Sequence, residues 1–346
     1  MNILHLISNF LWIALLLVPW AWFPETQPAS TIAAPYHVVV TQQMYLPEQP
    51  FHITDQRTDE HGRCNFETRT VTILQPYENG QPLSHRPVIM FVHGGGWTNG
   101  YAEWYTDALT PTLTAEQGWV VVNVDYRLTS NQVFRVDGES DPCNPTQATK
   151  AAWYDDNLQD VAAALAWTVQ NIQAYGGDPQ NIFLFGHSAG GHLVSLLATH
   201  DDYRELRGFM RGVISMSGAY DLKNLAHIFD LSIAQTFRGG RANQAALDDA
   251  SPLTYVHAGE TLPPFYVLYC ENDMPSLPEQ AIAFRDQLEA EGFDVEWDYL
   301  AGYTHESEMA AIANSDEAVT QRITAYVKTH IRQLVYLPMV VGEPTH

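Results

Sequence analysis

Apolar residues fall along this chain in two rhythms. PVIMFV (87–92), GWVVVNV (118–124), NIFLF (181–185), RGVISMS (211–217) and PPFYVLYC (263–270) are short and nearly unbroken. A strand with one wet face would alternate, so these runs predict strands covered on both faces, as in a parallel sheet. Elsewhere apolar residues recur every three or four positions. In 155–178, Leu158, Val161, Leu165, Thr168, Val169 and Ile172 share one helix face, and Gly176-Gly177 closes the segment. Further helices are predicted just after Ser188, over LPEQAIAFRDQLEAEG (277–292) and over SDEAVTQRITAYVKTHI (315–331), with FDVEWDYL (293–300) as a strand between the last two. YHVVVTQQMYL (36–46) and NFETRTVTILQPY (65–77) read as two early strands. Strand and helix alternate, which predicts an α/β fold with a mostly parallel central sheet, right-handed crossovers and helices on both faces.

Three stretches interrupt the alternation. Residues 128–154, rich in turn formers, and the mixed polar region 220–260 read as insertions, either binding loops or lids, or surface decoration. The third is the N-terminus. FLWIALLLVPWAWF (10–23) is apolar and is followed by the polar PETQPASTIAAP, but no Lys or Arg precedes it. The block is short for a spanning helix and the right length for a signal-peptide core, with Ala29, Ser30, Ala33 and Ala34 as cleavage points. Residues 1–34 are expected to direct export, giving a secreted or periplasmic protein. The alternatives are an uncleaved membrane anchor through 10–23 or a hydrophobic arm. Residues 35–340 then form a single domain.

Composition narrows the partners. Of 346 residues, 46% are hydrophobic and 16% charged, enough for a large core. With 40 acidic residues against 17 basic, the net charge is −23, which repels nucleic acid and anionic membranes and favours neutral or cationic small ligands. The oligomeric state is left open. Three cysteines exclude a fully paired framework. Cys270 lies in an apolar run and reads as a small core residue. Cys64 and Cys143 lie in polar sequence, where an oxidising compartment would let them pair. No C-x-x-C or His/Cys cluster points to a metal.

The chemistry centres on FLFGHSAGG (183–191). GHSAG fits G-x-S-x-G with a strand before it and a helix after, so Ser188 would stand on a tight, strained turn with its hydroxyl accessible. Side chains at Gly186 and Gly190 would collide with the neighbouring strand and helix, and the helix N-terminus would favour a nearby oxyanion. HGGGW (93–97) also follows a buried strand. Three glycines make sense where backbone must approach a ligand closely. The amides of Gly95, Gly96 and Ala189 would then surround a developing negative oxygen. A serine needs a base. Among 14 histidines, His305 is preferred because its loop, LAGYTHES, follows a strand ending near Leu300. Loops at the carboxyl ends of parallel strands share one edge, where ligands bind. Asp273, just past YVLYC, is the orienting carboxylate on that edge, with Glu271 as its rival. Chain order Ser188, Asp273, His305 is the order expected on such a sheet. His187 is read as structural and pointing away from the serine, His192 as packed, and His93 as bracing the glycine loop. Asp160, Asp125 and Arg127 are expected to make structural polar contacts.

HGGGW, DYR, FGHSAGGHLVSLLAT, ISMSGAYDL and the Asp273/His305 pair, over roughly residues 60–335, together resemble the carboxylesterase branch of the α/β-hydrolase superfamily. That branch includes hormone-sensitive-lipase-like esterases, feruloyl and acetyl-xylan esterases, and arylformamidases. The histidine before the serine and the SGAYDL stretch are closer to the feruloyl-esterase and arylformamidase group. The insertion around Cys143 and the acidic surface are not hallmarks of the branch. The resemblance implies a serine carboxylesterase acting on small to medium uncharged esters through an acyl-enzyme, needing no metal or organic cofactor. An arylformamidase would use the same residues. A serine peptidase would want an accessory domain that is not visible, and a non-catalytic binding protein on this fold would usually lack the serine or the base.

Overall fold

The unbroken apolar runs become the middle of one sheet. Its main strands are β1 (His37–Met44), β2 (Thr70–Glu78), β3 (Arg86–Val92), β4 (Val120–Val124), β5 (Gly177–His187), β6 (Met210–Met216), β7 (Phe265–Asn272) and β8 (Val295–Thr304). They lie in the order β1-β2-β4-β3-β5-β6-β7-β8, with a short Gln81–Pro82 strand beside β2. From β4 to β8 every pair is parallel, while β1 and β2 add an antiparallel edge. The computed structural model describes residues 34–45, 53–58, 64–66, 69–129, 132–134, 148–150, 153–229, 233–234 and 236–332, the four short segments 53–58, 64–66, 132–134 and 148–150 by backbone alone.

The absence of alternation has a visible cause. Along β3, Val88, Met90 and Val92 join one buried cluster, while Ile89 and Phe91 join the other. On β5, Ile182 and Leu184 face the first and Phe183 and Phe185 the second. Burying each such side chain contributes about 1.5–3 kcal/mol. The first layer is closed by α2 (Tyr154–Asn171), α3 (Ala189–Thr199) and α6 (Leu277–Ala290), through residues such as Leu158, Leu193 and Phe284. The second is closed by α1 (Glu103–Leu109) and α8 (Ala318–His330), through Leu109, Ile323 and Val327. This is the α/β sandwich the pattern predicts. The helix face read in 155–178 is real: Leu158, Val161, Leu165, Thr168 and Ile172 are buried, and Gly176 ends the segment in the left-handed conformation.

Other expectations are corrected. β8 continues past Leu300 to Thr304, so His305 follows the strand directly. The sequence pattern predicts no element between the glycine loop and Trp119, yet α1 lies there, followed by a π-helical turn at Thr110–Glu116. Pro111 within that turn lacks an amide, which removes a normal helical bond. The region 220–260 is not irregular throughout: it contains α4 (Leu222–Ile228) and α5 (Gln244–Asp249), capped by the side chains of Asp221 and Asn243. Within 128–154, Gln132–Phe134 and Ala148–Lys150 are strands of a separate four-stranded antiparallel sheet with Ile53–Thr58 and Cys64–Phe66. The leader, apart from Ala34, and the sulfur atoms of Cys64 and Cys143 lie outside the described residues. Cys270 is a fully buried free thiol, as expected. No described helix is long and apolar enough to cross a membrane.

Candidate active site

The carboxyl ends of β3, β5, β7 and β8 carry the residues the sequence singles out. β5 stops at His187. Ser188 then takes φ 56°, ψ −121°, and α3 starts at Ala189. A serine at positive φ costs about 1–3 kcal/mol, so its surroundings must impose it. They do so partly by crowding. A Cβ on Gly190 would stand 2.0 Å from the Val92 carbonyl oxygen, and one on Gly186 would stand 2.2 Å from that of Gly190. Both glycines are required for space, as expected. Ala189 opens α3, so its amide is among the first four of a helix, which have no partner within it.

After β3 the chain turns through Gly94, Gly95 and Gly96. Gly95 and Gly96 have φ of +119° and +59°. A Cβ on Gly95 would lie 2.0 Å from the Asn99 carbonyl oxygen, and one on Gly94 would lie 3.0 Å from Ser188 Cβ. The glycine loop is thus pressed against the nucleophile turn. The Gly95 carbonyl accepts from the amides of Thr98 and Asn99, while none of the described hydrogen bonds uses the amides of Gly95 or Gly96. His93 braces this loop, as predicted: its Nδ1 donates to the Gly94 carbonyl at 2.7 Å and its ring stacks on Tyr126. Burial lowers its pKa to about 4, so it is neutral at physiological pH.

Asp273 follows β7 and His305 follows β8. Their side chains meet, His305 Nδ1 donating to Asp273 Oδ1 at 2.6 Å. The carboxylate also accepts from the Met274 amide at 2.7 Å, and its side chain is fully buried. Burial works to raise the Asp273 pKa, but the hydrogen bond and charge of His305, with smaller help from Ser217 and the Met274 amide, bring it below its ordinary value. Burial likewise works to lower that of His305. The hydrogen bond and charge of Asp273, joined by Glu308 and Glu306, outweigh it and hold the ring above its ordinary value. The rival Glu271 is exposed and accepts from the Gly302 amide of β8 instead. Asp160 and Arg127 form a two-pronged ion pair, both bonds at 2.8 Å, with Arg69 at 3.3 Å from the same carboxylate. Asp125 accepts from the Ala102 amide and the Thr70 hydroxyl. These are the structural contacts expected.

Two features were not foreseen. His192 is more than packed. Trp97 Nε1 donates to its Nδ1 at 3.0 Å, so its proton sits on Nε2 and is donated to the Ala250 carbonyl at 2.7 Å. One imidazole thereby joins the glycine loop, α3 and the 220–260 segment. Burial lowers its pKa to about 4, keeping it neutral. His187, read as structural and pointing away from the serine, also reaches the base: its Nε2 donates to the His305 carbonyl at 2.8 Å, and the two rings are 4.7 Å apart. Glu308 Oε1 lies 3.4 Å from the same nitrogen. The only sequence signal for Glu308 is an acid set beside the apolar MAAIA. His187, His305 and Glu308 each offer a ligand-type atom within 4.8 Å of the others. Of their ring nitrogens, His187 Nε2 is engaged by the His305 carbonyl and His305 Nδ1 by Asp273.

Comparison with known proteins adds a family context. A model described as the carboxylesterase family matches residues 68–228, and one described as the alpha/beta hydrolase fold matches residues 151–309. The chain is 34% identical over 215 residues to the probable carboxylic ester hydrolase LipM of Mycobacterium tuberculosis, a match covering 58% of this chain and 44% of LipM. It is 26% identical over 236 residues to the isoprenylcysteine alpha-carbonyl methylesterase ICME of Arabidopsis thaliana, covering 64% and 50% of the two chains. The chain spans about half the length of the curated relatives it matches. Among solved structures it is similar to esterase B from Lactobacillus rhamnosis, with a TM-score of 0.60, 20% identity and 86% of each chain covered. A truncated carbohydrate esterase from gut microbiota gives a TM-score of 0.61 at 16% identity, covering 87% of this chain and 99% of that one.

Proposed function

We propose that this chain, which belongs to the carboxylesterase branch of the α/β-hydrolase superfamily, hydrolyses small to medium uncharged carboxylic esters with Ser188 as nucleophile. The observation that carries the reading is the His305–Asp273 hydrogen bond at the ends of β7 and β8, on the edge where Ser188 stands at positive φ. Ser188 Oγ attacks the ester carbonyl while His305 Nε2 takes its proton. Asp273 fixes Nδ1–H, and so the tautomer, and stabilises the imidazolium. The amides of Gly95, Gly96 and Ala189 face the oxygen that becomes negative, each such donor contributing on the order of 10²- to 10³-fold in rate. The imidazolium then protonates the leaving alcohol. Water, activated by the same base, releases the acid and frees the serine.

Relatives and structural neighbours named as methylesterase and carbohydrate esterase set the range of alcohols worth trying. An uncharged fluorophosphonate tests the nucleophile directly. Mass spectrometry is expected to find one adduct, on the peptide carrying Ser188, and none on Ser188→Ala. An adduct elsewhere, or none on the native chain, overturns the assignment. A panel of short-chain acyl, methyl, feruloyl and acetyl-sugar esters beside N-formylkynurenine reads the substrate. Turnover of the formamide well above every ester would replace the esterase reading with a formamidase.

A further inference from the structure

We propose that His187 and Glu308 are a positioning pair for this reaction: His187 ties the residue next to the nucleophile to the backbone of the base, and Glu308 keeps that imidazole in place. The pair has this role only if Ser188 and His305 act as proposed above.

The sheet itself does not connect the two groups. β5, which ends beside Ser188, and β8, which ends beside His305, are separated by β6 and β7. Three strand spacings put their axes about 14 Å apart. No ladder bond between them fixes how the His305 turn leans back toward Ser188. His187 supplies such a bond. It is covalently attached to Ser188, and its Nε2–H reaches 118 residues along the chain to the His305 carbonyl. The ring also lies against the His305 ring, 4.7 Å between centroids at 42°. Asp273 holds the base by its side chain and His187 holds it by its main chain.

Glu308, on the short helix α7 (Ser307–Ala310), explains what fixes His187. Its side chain is 0% exposed, and neither oxygen has a hydrogen-bond partner. With the weak Cys270 S–H as its neighbouring donor, a carboxyl group buried this deeply is costly, and a fold keeps one where something uses it. The nearest group able to carry positive charge is His187, with Nε2 at 3.4 Å. The groups facing His305 are Asp273 after β7, Glu306 in its own turn, Glu308 on α7 and His187 at the end of β5, with Tyr105 of α1 6.4 Å from the His187 ring. The Cys270 thiol of β7 lies beside Glu308 and is pushed well up by burial.

The test uses the full chain and an uncharged short-chain p-nitrophenyl ester. His187→Phe keeps the ring but loses the donor. It is expected to lower kcat by about 10- to 100-fold, the cost of a small misplacement, with KM within about threefold. His187→Gln sets an amide N–H close to the Nε2 position and is expected to recover most of that loss. Gln matching Phe, or Phe matching the native enzyme, overturns the tie. Glu308→Gln keeps shape and removes charge. The acid limb of kcat/KM is expected to move down by about half a pH unit, and an unmoved limb removes Glu308 from the pair. Should His187→Phe not fold, the Gln variants still decide. Ser188→Ala separates the two readings. If it is inert while His187→Phe is fully active, only the tie fails. If it turns over normally, the nucleophile fails and the pair with it.

Discussion

Ser188 stands between two buried histidines that look alike and differ in one respect. His187 precedes it and His192 lies one turn into α3, and each gives its Nε2 proton to a distant carbonyl, of His305 and Ala250 respectively. At His192 the account closes, since Nδ1 accepts from Trp97. At His187 it stays open: Nδ1 has no hydrogen-bond partner, and the carboxylate of Glu308 beside Nε2 has none either. A complete polar network makes a core rigid and specific. An incomplete one gives up stability, and proteins do so near sites that work. The difference separates a brace for the glycine loop from a connection to the base.

The comparison can be broken or sharpened by experiment, beginning with its floor. Ser188→Ala is expected to reduce kcat on an uncharged p-nitrophenyl ester by about 10⁴-fold or more, with melting temperature nearly unchanged. Turnover within tenfold of native would leave neither histidine anything to support. Next comes the turn on which both stand. Gly190→Ala drives a methyl to within 2.0 Å of the Val92 oxygen, and calorimetry is expected to show a loss of at least about 3 kcal/mol. A full-stability variant would mean that the close contact between α3 and β3 yields easily.

Proton chemistry should divide the two sides. A general base must be neutral, and the His305 pKa is raised, so kcat/KM is expected to fall about tenfold per pH unit below a midpoint above 6.5. His192, with a pKa of about 4, contributes no such step. A midpoint below 6 would contradict the role of Asp273. The smallest effect is the sharpest contrast. His192→Phe removes two hydrogen bonds and is expected to cost about 2 kcal/mol in urea unfolding, while lowering kcat less than His187→Phe does. The opposite order would exchange the roles of the two residues.

Legibility in the sequence followed the range of the interactions. Both-faces-buried strands were readable because Val88–Val92 and Ile182–Phe185 leave no polar position. The nucleophile turn was readable because the spacing of its glycines around Ser188 marks it, although only Gly186 is demanded by a neighbour in sequence, Gly190, while Gly190 is demanded by the remote Val92 carbonyl. Asp273 and His305 could be placed from the rule that parallel strands end on one edge. The true end of β8 was not, because Ala301 and Gly302 weaken a strand signal that pairing with β7 restores. The partners of His187 and His192 were hidden for the same kind of reason. The acceptors of their Nε2 protons are carbonyls, and nothing in a side-chain pattern marks which backbone oxygen a distant imidazole will find.

One consequence lies in time rather than space. The proposed chemistry draws on the ends of four strands, and the last, β8, comes from the final quarter of the described chain. A protein returning from denaturant builds its helices from local contacts long before such remote pairings close. Ester cleavage is therefore expected to lag behind the circular-dichroism signal, and its recovery to clock the docking of the final strand.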